Sequence, residues 1–133
     1  TISAQALHRA LQASGIPATD VDLLILATVS AEMPCPSTAC RVALEVGMGT
    51  GAAFDLTAAC CGFVYSLNIA HDLIKLGTHR TVAVIGAETL SQFMDYTTEG
   101  RGTAILFGDA AGAAILRATD DTAKGIIAQA THA

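Results

Sequence analysis

Two short, unbroken apolar runs constrain the fold most: Asp22 to Thr28 (DLLILAT) and Thr81 to Ala87 (TVAVIGA). A strand with one face in water alternates apolar and polar residues, so a continuous run of this length predicts a strand covered on both faces, as in parallel sheets. The segment between them supplies the crossovers. Pro34 and Pro36 keep a loop extended, Ser37 is placed to cap a helix through Val46, and Gly47, Gly49 and Gly51 break the chain before Ala53 to Thr57 (AFDLT) resumes as a strand. After Cys60 and Cys61, the apolar positions Phe63, Val64, Leu67, Ile69, Leu73 and Ile74 repeat with helical spacing up to Gly77. Almost no charge precedes His71 there, which predicts a buried helix.

The flanks are read in the same way. Ser3 is placed to cap a first helix with Leu7, Ala10 and Leu11 on one face, ended by Gly15 and Pro17. Thr103 to Phe107 and Ala111 to Leu116 flank Gly108-Asp109 and predict a strand pair joined by a tight turn, and Gly125 to Gln129 predicts a further weak strand. No internal repeat, linker or low-complexity segment interrupts residues 1–133. The reading is one α/β domain.

Composition narrows the partners. With 52% hydrophobic and 14% charged residues among 133, intrinsic disorder is excluded and part of the surface is expected to meet another chain. A net charge of -5, with only seven Lys and Arg, argues against nucleic acid and acidic membranes and leaves small anionic ligands open. No apolar run approaches the roughly 18 residues that span a bilayer; even Ala104 to Leu116 is interrupted by Asp109. Signal-peptide features are absent and Thr1 stands inside helical sequence, so a fragment of a longer, cytoplasmic protein is expected. The four cysteines, Cys35, Cys40, Cys60 and Cys61, match neither a zinc site nor a disulfide framework, which predicts reduced thiols and no metal.

Two segments are candidates for chemistry. Gly47-Met48-Gly49-Thr50-Gly51 superficially resembles a dinucleotide loop, but a helix precedes it and a strand follows, the reverse of what a phosphate loop needs. The second is Ala58-Ala59-Cys60-Cys61-Gly62-Phe63, where a buried strand hands over to a helix. A thiol there gains thiolate character from backbone N–H groups and the helix dipole, and small neighbours admit a substrate. The competing reading is an inert, packed cysteine. Cys60 lies nearer the turn and Cys61 in the first helical turn, so Cys60 is the better nucleophile. Histidine is the expected base, yet His8, His71, His79 and His132 read as surface residues, and the constellation is incomplete in this chain.

Asp55 to Leu67 (DLTAACCGFVYSL), Val82 to Leu90 (VAVIGAETL) and Arg101 to Leu116 (RGTAILFGDAAGAAIL), preceded by Leu26 to Cys40 (LATVSAEMPCPSTAC), together resemble β-ketoacyl-acyl-carrier-protein synthase III over nearly the whole chain. The resemblance implies the thiolase fold, layered α-β-α with a mixed, mostly parallel sheet, and a homodimer, with this chain as its N-terminal half. It implies that Cys60 takes an acyl group from coenzyme A and passes it to the carbanion formed as malonyl-acyl-carrier protein loses CO₂. Acyl-coenzyme A is then a substrate, and no separate cofactor is expected.

The same resemblance assigns further positions. Arg101 matches an arginine that contacts coenzyme A, in keeping with the phosphates of that molecule; two extra residues lie within Asp95 to Gly100 relative to the commonest form of the loop. Leu90 and Phe107 match acyl-pocket positions. Cys35 matches the residue that closes the partner's acyl pocket, and its small thiol implies primers larger than acetyl. The family's GDGAGA is here GDAAGA, with Ala110 replacing Gly. The family's catalytic His and Asn and an oxyanion-hole glycine belong to the second half and are not in this chain, so the chain alone is expected to lack condensing activity. The rival readings are a related priming enzyme of polyketide or other secondary metabolism and a noncatalytic, dimerising half-domain. Chalcone-synthase-like and hydroxymethylglutaryl-coenzyme-A-synthase-like enzymes share the fold but match the GFVYSL and RGTAILFGD blocks less well.

Overall fold

A computed structural model describes residues 1–132. Four strands form one sheet in the order β2-β1-β3-β4, with β1 at Leu23–Ala27, β2 at Ala52–Leu56, β3 at Thr81–Thr89 and β4 at Asp109–Arg117. β1 runs parallel to β2 and to β3, from Leu23↔Ala52 to Ala27↔Leu56 on one side and from Leu23↔Val82 to Ala27↔Gly86 on the other. β4 is antiparallel to β3, from Thr81↔Arg117 to Thr89↔Asp109. The sheet is mixed and mostly parallel, as expected.

Helices cover both faces. α1 (Ile2–Ser14) and α2 (Thr38–Glu45) pack Leu7, Leu11 and Val42 against Leu24, Leu26, Ala83 and Ile85. On the opposite face α3 (Gly62–Lys75) packs Phe63, Leu67, Ala70, Leu73 and Ile74 against Leu23, Ile25, Val82 and Val84. Every residue of β1 is buried, which explains its unbroken apolar sequence: alternate side chains serve alternate helical layers. Each large aliphatic side chain fully buried here contributes about 1.5–3 kcal/mol.

Capping follows the local chemistry. Ser37 Oγ accepts from the Cys40 N–H at 3.2 Å, as expected for α2. The Asp55 carboxylate, reaching over from β2, accepts from Thr38 N–H at 2.8 Å and Ala39 N–H at 2.7 Å, so a second acceptor holds the same helix end. Gly15 closes α1 at φ 68°, but the residue capping its start is Thr1, whose hydroxyl accepts from Ala4 N–H; Ser3 is buried within the helix.

Three further expectations are corrected. Residues 103–107 are not a strand: Arg101–Ala104 form a short helical turn, α4, in which Ile105 N–H donates to Arg101 O. The segment's backbone hydrogen bonds are local, with Leu106 N–H also donating to Thr103 O, so it forms no hairpin with β4, whose ladder is to β3. Residues 125–129 form no strand; the segment instead meets α3 through Gln129, which donates to Asp72, and through His132 O, which accepts from Tyr65 OH. The last residue, Ala133, falls outside the described residues. Finally, α3 is buried on its sheet-facing side only, since Val64 and Ile69 on the other side are exposed.

The glycine-rich segment behaves as its context predicts, with α2 before it and β2 after it. Gly51 is required by crowding: a Cβ there would stand 2.6 Å from Val21 O.

Candidate active site

At the carboxyl ends of the parallel strands, where open α/β sheets place their ligand crevices, the chain turns from β2 into α3 through a single 3-10 turn at Ala59–Cys61. Ala59 sits at φ 45°, a left-handed conformation that costs a non-glycine residue about 1–2 kcal/mol. Cys60 follows it and is exposed. Both adjacent cysteines lie in the 3-10 turn, and the α-helix begins only at Gly62. Cys61 N–H donates to Ala58 O and Gly62 N–H to Ala59 O, so these two amides close the turn and do not face the thiol.

Small residues let the turn approach the sheet closely. A Cβ on Gly62 would lie 3.0 Å from the Cβ of Ala27, at the end of β1. Gly86 of β3 leaves room for the Phe63 ring, which a Cβ there would meet at 3.1 Å. Ser66, buried in α3, donates back to Gly62 O at 2.8 Å and steadies the first helical turn.

Cys60 opens on a cavity of about 530 Å³. Its walls are mainly apolar: Ala27 and Val29 from the end of β1, Phe63 from α3, Leu90 and Met94 beyond β3, and Phe107 before β4. The cavity therefore gathers three of the residues singled out in the sequence, Cys60, Leu90 and Phe107. Cys61 is not among its lining residues, which favours Cys60 as the side chain able to react with a molecule held there.

Arg101 and Cys35 do not line this cavity. Arg101 is exposed at the start of α4, and Cys35 is exposed in the loop between β1 and α2, at a cis Cys35–Pro36 peptide. None of His8, His71, His79 and His132 lines the cavity either, so no histidine of this chain is positioned to act as base to Cys60. Among the described residues no cluster of His, Cys, Asp and Glu could hold a metal ion, and no helix is long and apolar enough to cross a membrane.

Two acidic residues beside the cavity escaped the sequence reading. Glu88, the cavity's carboxylate, accepts from Val29 N–H at 2.9 Å and from the hydroxyls of Thr28 and Ser30. Asp109, at the start of β4, accepts from the Ser91 hydroxyl at 2.7 Å and the Ser91 N–H at 2.8 Å. The Ser91 hydroxyl first, and its N–H second, hold the Asp109 carboxyl below its ordinary value. The signal for Glu88 was present, a lone carboxylate closing an otherwise apolar strand, but its partners sit 58 to 60 residues away in sequence.

Known proteins resemble this chain in sequence and in fold. The family model for 3-oxoacyl-[acyl-carrier-protein (ACP)] synthase III matches residues 54–133. A beta-ketoacyl-[acyl-carrier-protein] synthase III of Natranaerobius thermophilus is 48% identical over 95% of this chain and 38% of its own length; that of Novosphingobium aromaticivorans is 43% identical over 100% and 42%. Among solved structures, the 3-oxoacyl-[acyl-carrier-protein] synthase III of Aquifex aeolicus superposes with a TM-score of 0.85 at 42% identity, over 90% of this chain and 38% of that one. The priming β-ketosynthase of the R1128 polyketide biosynthetic pathway gives the same TM-score, 0.85, at 34% identity over 90% and 36%. The chain thus spans about two fifths of the length of the curated relatives it matches. With its layered, thiolase-like α/β architecture and the match across the cysteine-bearing segment, the chain belongs to the 3-oxoacyl-[acyl-carrier-protein] synthase III family.

Proposed function

We propose that this chain is the N-terminal part of a β-ketoacyl-acyl-carrier-protein synthase III, and that Cys60 is its acyl-accepting nucleophile. The observation that carries the reading is the placement of Cys60 on the β2–α3 turn, open to a cavity walled by Leu90 and Phe107. The Cys60 sulfur attacks the thioester carbonyl of an acyl-coenzyme A, the new S–C bond forms, and coenzyme A leaves as its thiol. Malonyl-acyl-carrier protein then loses CO₂; the resulting carbanion attacks the acyl-cysteine carbonyl, and Cys60 departs as thiolate. The acyl chain lies in the apolar cavity, where burial of each CH₂ contributes about 0.8 kcal/mol.

Arg101, exposed at the start of α4, binds the phosphates of coenzyme A. Cys35 serves the acyl pocket of the partner in a homodimer, which its exposure and its absence from the cavity of its own chain support. Its small side chain admits primers larger than acetyl, so Cys35→Phe shifts preference toward acetyl-coenzyme A. Acyl-coenzyme A acts as substrate, without a separate cofactor, in the cytoplasm. The histidine and asparagine that polarise the malonyl thioester are supplied by the remaining three fifths of the relatives' length, so residues 1–133 alone do not condense.

Similarity to the R1128 priming enzyme favours one second reading, the same cysteine chemistry priming a polyketide. The test is to incubate the complete enzyme with acyl-coenzyme A and malonyl-acyl-carrier protein and weigh the carrier product. Formation of a β-ketoacyl carrier, abolished by Cys60→Ala, supports the proposal; unchanged product with Cys60→Ala overturns it. Preference for a polyketide carrier over a fatty-acid carrier selects the second reading.

A further inference from the structure

We propose that Glu88 is a positioning residue that sets the width of the cavity in front of Cys60, and so the size of the group Cys60 can receive. This deepens the ketosynthase reading and rests on it. The regular ladder between β1 and β3 ends at Ala27↔Gly86. Beyond that point, side chains hold the two strands together. Glu88 accepts from Val29 N–H at 2.9 Å, from Thr28 Oγ1 at 3.4 Å and from Ser30 Oγ. Ser30 Oγ in turn accepts from Thr89 N–H at 2.9 Å, and Thr28 Oγ1 from Ser30 N–H at 3.1 Å. Thr28 is tied to β2 as well, its N–H donating to Leu56 O at 3.1 Å and its carbonyl accepting from Thr57 Oγ1 at 3.2 Å.

Thr28 and Ser30 are 6% and 8% exposed, so at their end of the clamp water does not replace a lost partner, while the Val29 N–H bond lies at the exposed end. The residues it fixes are cavity walls. Val29 is held directly, and Leu90 follows Thr89, which is held through Ser30. A carboxylate suits this place because it accepts from three donors at once, and its hydrogen bonds to them are stronger than those of a neutral acceptor. Removing it frees Val29 and Leu90 to move apart, and the cavity then discriminates less against bulky groups.

The test uses the complete protein and two thiol reagents of different size, iodoacetamide and N-phenylmaleimide, with alkylation at Cys60 followed by peptide mass. Their rate ratio reads the cavity width without requiring the ketosynthase reaction. A parallel acylation by acetyl- and octanoyl-coenzyme A tests the functional reading separately; its failure in the unsubstituted protein would count against that reading and leave the alkylation ratio to decide this one. Glu88→Ala is expected to raise the bulky-to-small ratio by about tenfold, the discrimination that a methylene-sized change in an apolar pocket commands. Glu88→Gln keeps an oxygen for Val29 N–H and is expected to lie closer to the unsubstituted ratio. If Glu88→Ala fails to fold, Ser30→Ala, which removes the link to Thr89, is read the same way. An unchanged ratio in the folded variant overturns the proposal, as does an equal change in Glu88→Ala and Glu88→Gln, which would assign the effect to charge and not to the clamp.

Discussion

Ala59 concentrates the local cost of presenting Cys60. Its φ of 45° is one that glycine adopts freely and a β-branched residue scarcely at all. Ala59→Gly removes strain from the folded state but adds freedom to the unfolded chain, so its net effect on stability is expected to stay within about 1 kcal/mol. Ala59→Val is expected to destabilise by about 2 kcal/mol or more. Urea unfolding of both variants in the complete protein checks this, and a tolerated valine would show that the turn is not held in that conformation. Asp109, adjoining the cavity-lining Ala110, gives a pH-dependent counterpart. Its folded-state pKa lies below the ordinary carboxylate value, so its contribution is fully present above the unfolded value and is lost as pH falls through the lowered one. Ser91→Ala is expected to move the Asp109 titration upward, measured by the carboxyl carbon shift in NMR; no movement would deny the Ser91 hydroxyl its role. Glu88 and Asp109 mark the limit of reading single positions. Cys60 stood out because its neighbours in sequence are its neighbours in the turn, whereas Glu88 and Asp109 act on residues far away along the chain.

At the scale of elements, α2 and α3 are seated by different devices. α2 is tethered by Asp55, whose carboxylate receives two N–H groups of its first turn. Asp55→Ala is expected to cost about 1–3 kcal/mol, because those donors are partly buried and lose an ionised acceptor; thermal unfolding measures it, and a loss of a few tenths would contradict it. α3 is seated by smallness: Gly62 lies against Ala27, so Gly62→Ala pushes the helix start away from β1 and is expected to slow alkylation of Cys60 more than it lowers stability. A reactivity equal to that of the unsubstituted protein would show that the approach has no bearing on the thiol. The buried strands β1 and β3 and the cap at Ser37 were legible because each depends on local pattern. The expected hairpin around Gly108-Asp109 was not, since the choice of β3 as partner for β4 is a tertiary matter that an apolar run at 103–107 does not reveal. The same is true of α3, whose outer side carries the apolar Val64 and Ile69 beside Asp72 and Lys75.

Across the whole molecule, apolar side chains remain uncovered on several sides: Leu44 is 83% exposed, Leu76 75%, Ile105 75% and Leu106 72%. Ile105, Leu106 and the 45% exposed Phe107 are consecutive, and contiguous apolar surface of this kind marks contact with other protein, in accord with a chain that spans about two fifths of its curated relatives. Residues 1–133 produced alone are therefore expected to self-associate and to bind a hydrophobic dye; a monodisperse monomer in light scattering would contradict this. The sequence carried the family and the cysteine-bearing turn between strand and helix, while the cavity that unites Cys60 with Leu90 and Phe107 required the sheet to bring three separate segments together. Whether that cavity serves covalent chemistry is decided by intact-mass analysis after incubating the complete protein with acetyl-, butyryl- and longer acyl-coenzyme A. An acyl adduct retained in Cys61→Ala and lost in Cys60→Ala is the expected result. An adduct retained in Cys60→Ala, or none with any primer on folded protein, would contradict the assignment of Cys60 as the acyl acceptor.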